Sequence, residues 1–437
     1  MQLWAIVVDV ESNPLAVAAR LAGRSGFAFL HAAPDRDCPS SSFVAVDPVE
    51  SSTAWLPPGC AEMPARSTDT RARVPRWIGI VPYECARGLE RAAWTRTPDR
   101  RPFAHLAEPA WHRYGAVVEI DPLRDGVRVI GDDPRRVEAL ARDLSVRRSS
   151  RPPRNVRLRA LEEDDPPGAH VDRIRRAQEL IAAGDLYQVN LARRLRFAAH
   201  GSPFEIYACL AHSAPAPFGA CLDLGDVAVC ASSPELFLDT GSRGSVRTAP
   251  IKGTRPRGDD AGADRGLAIE LDESPKENAE LTMILDVERN DLGRVALPGS
   301  VRVLRGPCVE THRTVHHRLA VLGARLDPRH TQLDLLRAMF PSGSVTGAPK
   351  VRAMEVIAQL EPVRRGLYTG AFGTISFDGS LRLAMAIRVL TIKKGEAHYF
   401  AGGGIVADSD PEAELEETRW KGAQLERLRE SWPMQAS

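Results

Sequence analysis

The sequence predicts an α+β fold, with strands and amphipathic helices mixed along one chain. Three observations carry this. Short apolar runs alternate with turn-rich segments over the first 130 residues, a helical apolar face follows residue 170, and two alternating runs flank an Asp-Gly pair at 378–379. The chain has 437 residues, which by length alone suggests about three domains, although two closely packed regions fit the pattern better. With 43% hydrophobic residues it has enough apolar mass for a sizeable core.

The opening MQLWAIVVDV reads as a strand, not a signal peptide, because it lacks a basic start and carries Asp9 and Glu11 early. Ile6 to Val8, Phe27 to Leu30, Trp77 to Val81 and Ala116 to Ile120 are further strand candidates, so residues 1–130 form an amino-terminal region that reads as a scaffold. Residues 131–168 are expected to be a connector: from Arg147 the chain is first basic, then acidic and proline-rich, with little to bury. Residues 169–430 form the second region. Val171, Ile174, Ala177 and Ile181 share one helical face, Gly184 stops that helix, and a strand begins near Leu186.

Ser274-Pro275-Lys276-Glu277 reads as a capping box with proline at the first helical position, predicting a helix towards Val287. FGTISF and SLRLAMAIRVLTI flank Asp378-Gly379 as a hairpin. The second run is expected to place Leu381, Leu383, Met385, Ile387 and Val389 on one face. Its other face would carry Arg382, Ala384, Ala386 and Arg388, with small residues leaving room beside an arginine. A last helix begins near Asp410-Pro411.

Composition excludes several functions. With 58 basic and 57 acidic residues the net charge is +1, too little to hold nucleic acid or an anionic membrane surface. No apolar run reaches the ~18 residues of a membrane-spanning helix. The seven cysteines are scattered, odd in number and without a C-x-x-C pair, which argues against a disulfide framework or zinc site and for a reducing cytoplasm. GSVTGAPK lacks the Gly-Lys-Ser/Thr of a phosphate-binding loop, since Pro349 separates Ala348 from Lys350, so nucleotide binding is not expected.

Local charge must then carry recognition. Glu277 and Glu280 lie three apart on one helix, and Glu414, Glu417 and Lys421 fall at i, i+3 and i+7 on another. Alone, such pairs are usually a solvated face. Four carboxylates converging in a pocket would repel one another without a cation, and Mg²⁺ suits a few carboxylates, waters and an oxygen-rich substrate. Gly402-Gly403-Gly404, expected between a strand and a helix, could supply unhindered N–H groups of an anion-binding nest, and Arg388 a bidentate guanidinium.

PIKGTRPRG (250–258), SPKENAELTMILDVERND (274–291), GSVTGAPKVRAMEVI (343–357) and GGGIVADSDPEAELEETRWK (402–421) together resemble the chorismate-utilising enzymes. That family includes anthranilate synthase component I, aminodeoxychorismate synthase component I, and the isochorismate and salicylate synthases. The resemblance is strong from roughly residue 170 to 430 and weaker over the first 130. It implies two antiparallel sheets packed as a sandwich with helices outside and the two halves interleaved.

The resemblance also assigns roles. Glu280 and Glu417 match direct Mg²⁺ ligands, Glu277 and Glu414 partners acting through water, and Lys421 a residue near the ring carboxylate. Tyr368, Arg388 and Gly402 to Gly404 match the site of the enolpyruvyl carboxylate, and Thr346 and His317 lie close to the reacting ring. Glu235 matches the general acid, which burial would keep protonated near neutral pH. Its alternative is a first-turn glutamate behind Ser233-Pro234 at a helix amino terminus.

Lys252 is the main discriminator. In aminodeoxychorismate synthases, which PIKGT resembles, this lysine attacks ring carbon 2 as the 4-hydroxyl leaves, and ammonia then enters at carbon 4 and expels it. A lysine with an ordinary pKa of about 10.4 needs desolvation or a nearby cation to act, which Arg255 or Arg257 would supply. Anthranilate synthases usually carry alanine there. Gln188 is the second discriminator, since isochorismate and salicylate synthases have a lysine base at this place and an amide cannot serve as one.

The resemblance therefore implies an Mg²⁺-dependent aminodeoxychorismate synthase component I, converting chorismate and ammonia to 4-amino-4-deoxychorismate for p-aminobenzoate supply. The alternative is anthranilate synthase component I, and a third reading is a tryptophan-binding or partner-binding module with a decayed site, against which intact Glu235, Lys252, Glu280, Arg388 and Glu417 speak. No cysteine sits in a G-x-C-x-G elbow, so a glutamine amidotransferase partner is expected to supply the ammonia. GFAFLHAA (26–33) stands where the family's tryptophan site has a Leu-Leu-Glu-Ser-like element, so bound tryptophan is not expected.

Overall fold

A computed structural model describes residues 2–32, 40–62, 73–89, 99, 101–124, 126–146, 156–161, 164–166 and 168–426. Its strands form two sheets, one of 12 strands and one of 10, and every pairing between named strands is antiparallel. Both sheets draw strands from both ends of the chain. In the larger one, Ala28–His31 pairs with Phe218–Asp223. In the smaller one, Pro75–Val81 pairs with Ala371–Ser376. This is the interleaving the resemblance implies, and it leaves the amino-terminal region no separate core.

Ile78, Ile80, Val117, Ala220, Val229, Phe372 and Ala384 fill the space between the sheets. Outside the larger sheet, helices Pro14–Leu21 and Pro134–Ser145 bury one face each, and Pro203–Ser213 is buried all round from Ile206 to Ala211. Outside the smaller sheet, Pro275–Gly293 and Gln332–Met339 do the same through Leu281, Leu285, Leu335 and Leu336. Helices Ala169–Ala182 and Lys350–Leu360 close over strand Gln188–His200, where Ile174, Ala177, Val356 and Ile357 meet Val189 and Leu191. No helix among the described residues is long and apolar enough to cross a membrane.

Several sequence expectations hold in detail. Gly184 (φ 82°) ends the Ala169–Ala182 helix, and Gly379 (φ 86°) turns the hairpin between Ala371–Ser376 and Leu381–Met385. The capping box at Ser274 is half formed: its hydroxyl accepts from the Glu277 N–H at 3.4 Å, while the Glu277 carboxylate lies 3.7 Å from Arg255. The helix then runs beyond Val287 to Gly293.

The connector over 131–168 carries more structure than its composition implies. Helix Pro134–Ser145 buries Val137, Leu140, Ala141 and Leu144, and strand Arg157–Ala160 pairs with Gln188–His200. Residues 147–155, the most basic part, lie outside the described residues.

The run from Leu381 to Ile392 is not one strand. Leu381–Met385 belongs to the smaller sheet and Val389–Lys393 to the larger, and the chain crosses between them through Ala386, Ile387 and Arg388. Arg388 turns the crossing at φ 50°, so simple alternation ends there and it does not share a face with Arg382. A second crossing runs alongside. Ala228–Ser233 lies in the larger sheet and Leu236–Gly241 in the smaller, joined by Pro234 and Glu235. The Ser233 hydroxyl donates to the Met385 carbonyl at 2.6 Å and ties the two crossings together.

Candidate active site

These two crossings place Glu235 and Arg388 where the sheets diverge. Glu235 does not start a helix, as its proline would allow, but leads into strand Leu236–Gly241. It is 4% exposed and accepts a 2.5 Å hydrogen bond from the Ser344 hydroxyl. Desolvation raises its pKa to about 7, against the opposing pull of Ser344, the Lys252 charge and the backbone at Ile251. A carboxylic acid that is half protonated at neutral pH suits proton donation.

Lys252 lies on strand Ile251–Pro256, half-buried. Its charge acts on both Glu235 and Glu280, so it lies near the acid and the carboxylates of helix Pro275–Gly293. Arg255 and Arg257, expected to depress this lysine, are instead paired with carboxylates: Arg255 bonds Glu270 at 2.9 Å and lies 3.7 Å from Glu277, and Arg257 bonds Asp264 at 2.6 Å. Gly253 (φ 84°) lets the strand pass the first helix, because a β-carbon there would come within 2.9 Å of the Glu277 carboxylate. His317 sits across the strand pair, with Nδ1 2.9 Å from the Thr254 hydroxyl. Burial and the Arg388 charge push its pKa well below the ordinary value, so it stays neutral.

The glutamates of the two helices approach one another across the mouth. Burial raises the pKa of Glu280 and of Glu414, with further contributions from Glu277 on the first and from Glu417 and Glu280 on the second. The Gln188 amide, 1% exposed, donates to Glu280 at 3.3 Å. Lys276 lies 3.9 Å from Glu414. Glu417 pairs with Lys421 at 2.7 Å, and Lys421 also donates to the Gly402 carbonyl at 2.9 Å. Each carboxylate thus has its own partner, and among the described residues no three acidic, histidine or cysteine side chains form a closed ligand set. Hard carboxylate oxygens from two facing helices nevertheless fit a small divalent cation such as Mg²⁺.

The glycine run is strand, not a loop nest. Gly402, Gly403 and Gly404 end strand Glu396–Ile405 and pair with Ala192, Leu191 and Asn190. None of the three has a positive φ, so a nest is not formed. Glycine is needed for clearance instead. A β-carbon at Gly403 would lie 2.7 Å from the Glu414 carboxylate, and one at Gly404 2.0 Å from the Gln188 amide nitrogen. Pairing with Val389–Lys393 stops at Tyr399, so the second edge of this strand is open along the glycines.

Arg388 has no carboxylate partner among the described residues, and desolvation lowers its pKa. An unpaired, desolvated guanidinium is ready for an anionic ligand. Tyr368 is buried and stacks on Phe400 with centroids 5.3 Å apart. Thr346 is fully buried and donates to the Ser342 carbonyl at 2.7 Å, while its own carbonyl accepts from Asn190 N–H at 2.8 Å.

Sequence reading missed two supports. Arg365, 1% exposed, makes paired hydrogen bonds to Glu361 and reaches the carbonyls of Val345 at 3.0 Å and Asn190 at 2.8 Å, fixing the segment that carries Ser344 and Thr346. Glu288, also 1% exposed, bonds Ser342 at 2.8 Å and Thr248 at 3.1 Å. Its signal was available: Glu288 is eight residues beyond Glu280 on the face of Leu281, Ile284 and Leu292, a core position in the helical period.

Residues 39–427 match the family profile described as chorismate binding enzyme. Anthranilate synthase component 1 of Thermus thermophilus is 40% identical over 78% of this chain and 74% of its own length. Aminodeoxychorismate synthase component 1 of Salmonella typhimurium is 46% identical over 56% of this chain and 54% of its own length, so the chain spans about half of that relative. Among solved structures, anthranilate synthase component I from Streptococcus pneumoniae superposes with a TM-score of 0.77 at 27% identity, covering 97% of this chain and 99% of that one. The menaquinone-specific isochorismate synthase of Escherichia coli shares the fold, with a TM-score of 0.75 at 19% identity over 98% of this chain and 94% of its own. The protein belongs to the chorismate-binding enzyme family.

Proposed function

We propose that the chain is an aminodeoxychorismate synthase component I, converting chorismate and ammonia to 4-amino-4-deoxychorismate for p-aminobenzoate supply. The observation that supports this reading is that Lys252 acts electrostatically on both Glu235 and Glu280. A ring held by its carboxylates at Arg388 and the helix mouth presents its 4-hydroxyl to Glu235 and carbon 2 to Lys252. Lys252 acts as the neutral amine: its lone pair bonds carbon 2, the ring double bond shifts, and the carbon 4–oxygen bond breaks as Glu235 gives its proton to the departing oxygen. Ammonia adds at carbon 4, and the lysine leaves with its bonding pair.

Tyr368 and the glycine edge orient the enolpyruvyl carboxylate beside Arg388, and neutral His317 and Thr346 line the ring. Glu280 and Glu417 would hold Mg²⁺ directly and Glu277 and Glu414 through water, with Lys421 beside the ring carboxylate. The ion would neutralise these carboxylates and the substrate's. Gln188 binds Glu280 and has no basic group to activate water, which disfavours hydroxyl addition. Ammonia would come from a glutamine amidotransferase subunit. A reducing cytoplasm suits the six described cysteines, all unpaired.

The second reading, anthranilate synthase component I, is favoured by the Thermus relative, whose match covers more of the chain. Product analysis separates the two. Purified chain with chorismate, Mg²⁺ and ammonium should yield p-aminobenzoate only when an aminodeoxychorismate lyase is added. Anthranilate formed without the lyase would move the chain to the second reading.

A further inference from the structure

A continuous hydrogen-bonded path joins Glu235 to a second buried glutamate. Ser344 Oγ lies 2.5 Å from Glu235 Oε1, Ser342 Oγ lies 2.9 Å from Ser344 Oγ, and Glu288 Oε1 lies 2.8 Å from Ser342 Oγ. These are three links between four oxygen-bearing groups, and two hydroxyls supply only two hydrogens. The third link needs one carboxylic proton. If it sits on Glu235, every bond points towards Glu288; if it sits on Glu288, every bond points back. Moving it from one end to the other requires only that each hydroxyl pass one proton and receive another.

We propose that Glu288 is a positioning residue that shares one acidic proton with Glu235 through the Ser344–Ser342 hydroxyls, so that the acid is recharged from inside the protein. This rests on the reading that Glu235 protonates a departing ring hydroxyl. In that step the carbon–oxygen bond breaks, the oxygen keeps the bonding pair, and water leaves with the proton from Glu235. The incoming nitrogen forms its bond with its lone pair and sheds one proton, which restores the pair. Between these events the site must hold its proton balance away from solvent, and the hydroxyl path provides the place.

The surroundings agree. Glu288 faces Glu235, the Thr248 hydroxyl and Lys350, and Lys350 is itself bonded to Asp291 on the same helix as Glu288. Burial and the Glu235 charge raise Glu288 to about pKa 8, close to that of its partner, so neither end holds the proton outright.

The test is the pH profile of kcat in the wild-type chain and in Glu288→Gln, with infrared titration of the protonated carboxyl band in both. Activity needs Glu235 protonated, so the alkaline limb marks its loss of that proton. Removing the Glu288 charge should move this limb, and the infrared midpoint of Glu235, to lower pH by about one unit, with KM little changed. Ser342→Ala cuts the path while keeping both carboxyls; it should lower kcat and split the infrared titration, and Ser342→Thr should restore both. An unmoved limb and an unmoved infrared midpoint in Glu288→Gln would overturn the proposal and leave Glu288 a purely structural group. If anthranilate is the product, the same profile is read on anthranilate. If no chorismate is consumed, the infrared titration alone decides the proton sharing, independently of the assigned reaction.

Discussion

Glu277, Glu414 and Glu417 each have a cation within ion-pair distance, whereas Glu235 and Glu288 are buried with hydroxyls as hydrogen-bond partners. At the mouth, Arg255, Lys276 and Lys421 each lie within 4.0 Å of a carboxylate. Inside, the hydroxyls of Ser344, Ser342 and Thr248 hydrogen-bond the two acids, and burial raises them to about pKa 7 and about pKa 8. The same residue type thus does two jobs. On the proposed reading the outer glutamates would hold a metal as carboxylates, while burial keeps the inner two partly protonated.

Lys252 links the two groups, and its loss should have the largest effect. Lys252→Ala is expected to abolish the 4-amino product while chorismate still binds, read by the lyase-coupled assay alongside equilibrium binding. Next comes Glu235→Gln, which keeps the shape but removes the acid. It should cost roughly 10²- to 10⁴-fold in kcat with KM little changed, and steady-state kinetics across pH should show the alkaline limb near 7 disappear.

A smaller effect is expected at the mouth. Glu414→Ala should raise the Mg²⁺ concentration for half-maximal activity about 10- to 100-fold, as loss of an outer-sphere partner does, without moving the pH profile. If it shifts the profile instead, the two carboxylate groups are not separate. The smallest effect concerns stability. Glu235 and Glu288 keep protons in the folded state that the unfolded chain has released above about pH 4.5, so stability should fall as pH rises from about 4.5 and level off above about 7 to 8. Thermal melts from pH 5 to 9 should show a shallower decline in Glu288→Gln.

The chain's periodicities disclosed local elements better than the site's walls. The helix after Ser274, the Asp378-Gly379 hairpin and the stop at Gly184 follow from capping and turn chemistry, which act over a few residues. The crossing at Arg388 does not, because alternation continues through Leu381 to Val389 while the backbone changes sheets; only tertiary pairing decides that switch. For the same reason the glycines at 402–404 read as a loop. Their need for clearance comes from Gln188 and Glu414, more than 200 residues before them and ten or more after. Within 131–168, helix Pro134–Ser145 docks through four apolar residues at helical spacing, ahead of the charged stretch from Arg147 on which the connector reading rests.

The position of nitrogen in the product tests the central claim most directly. The wild-type chain and Lys252→Ala would each be supplied with chorismate, Mg²⁺ and ¹⁵N-ammonium, and the labelled carbon located by NMR. The account predicts nitrogen on carbon 4 with the wild-type chain and none there with the variant. Nitrogen on carbon 2 from the wild-type chain, or on carbon 4 at an undiminished rate from Lys252→Ala, would contradict it.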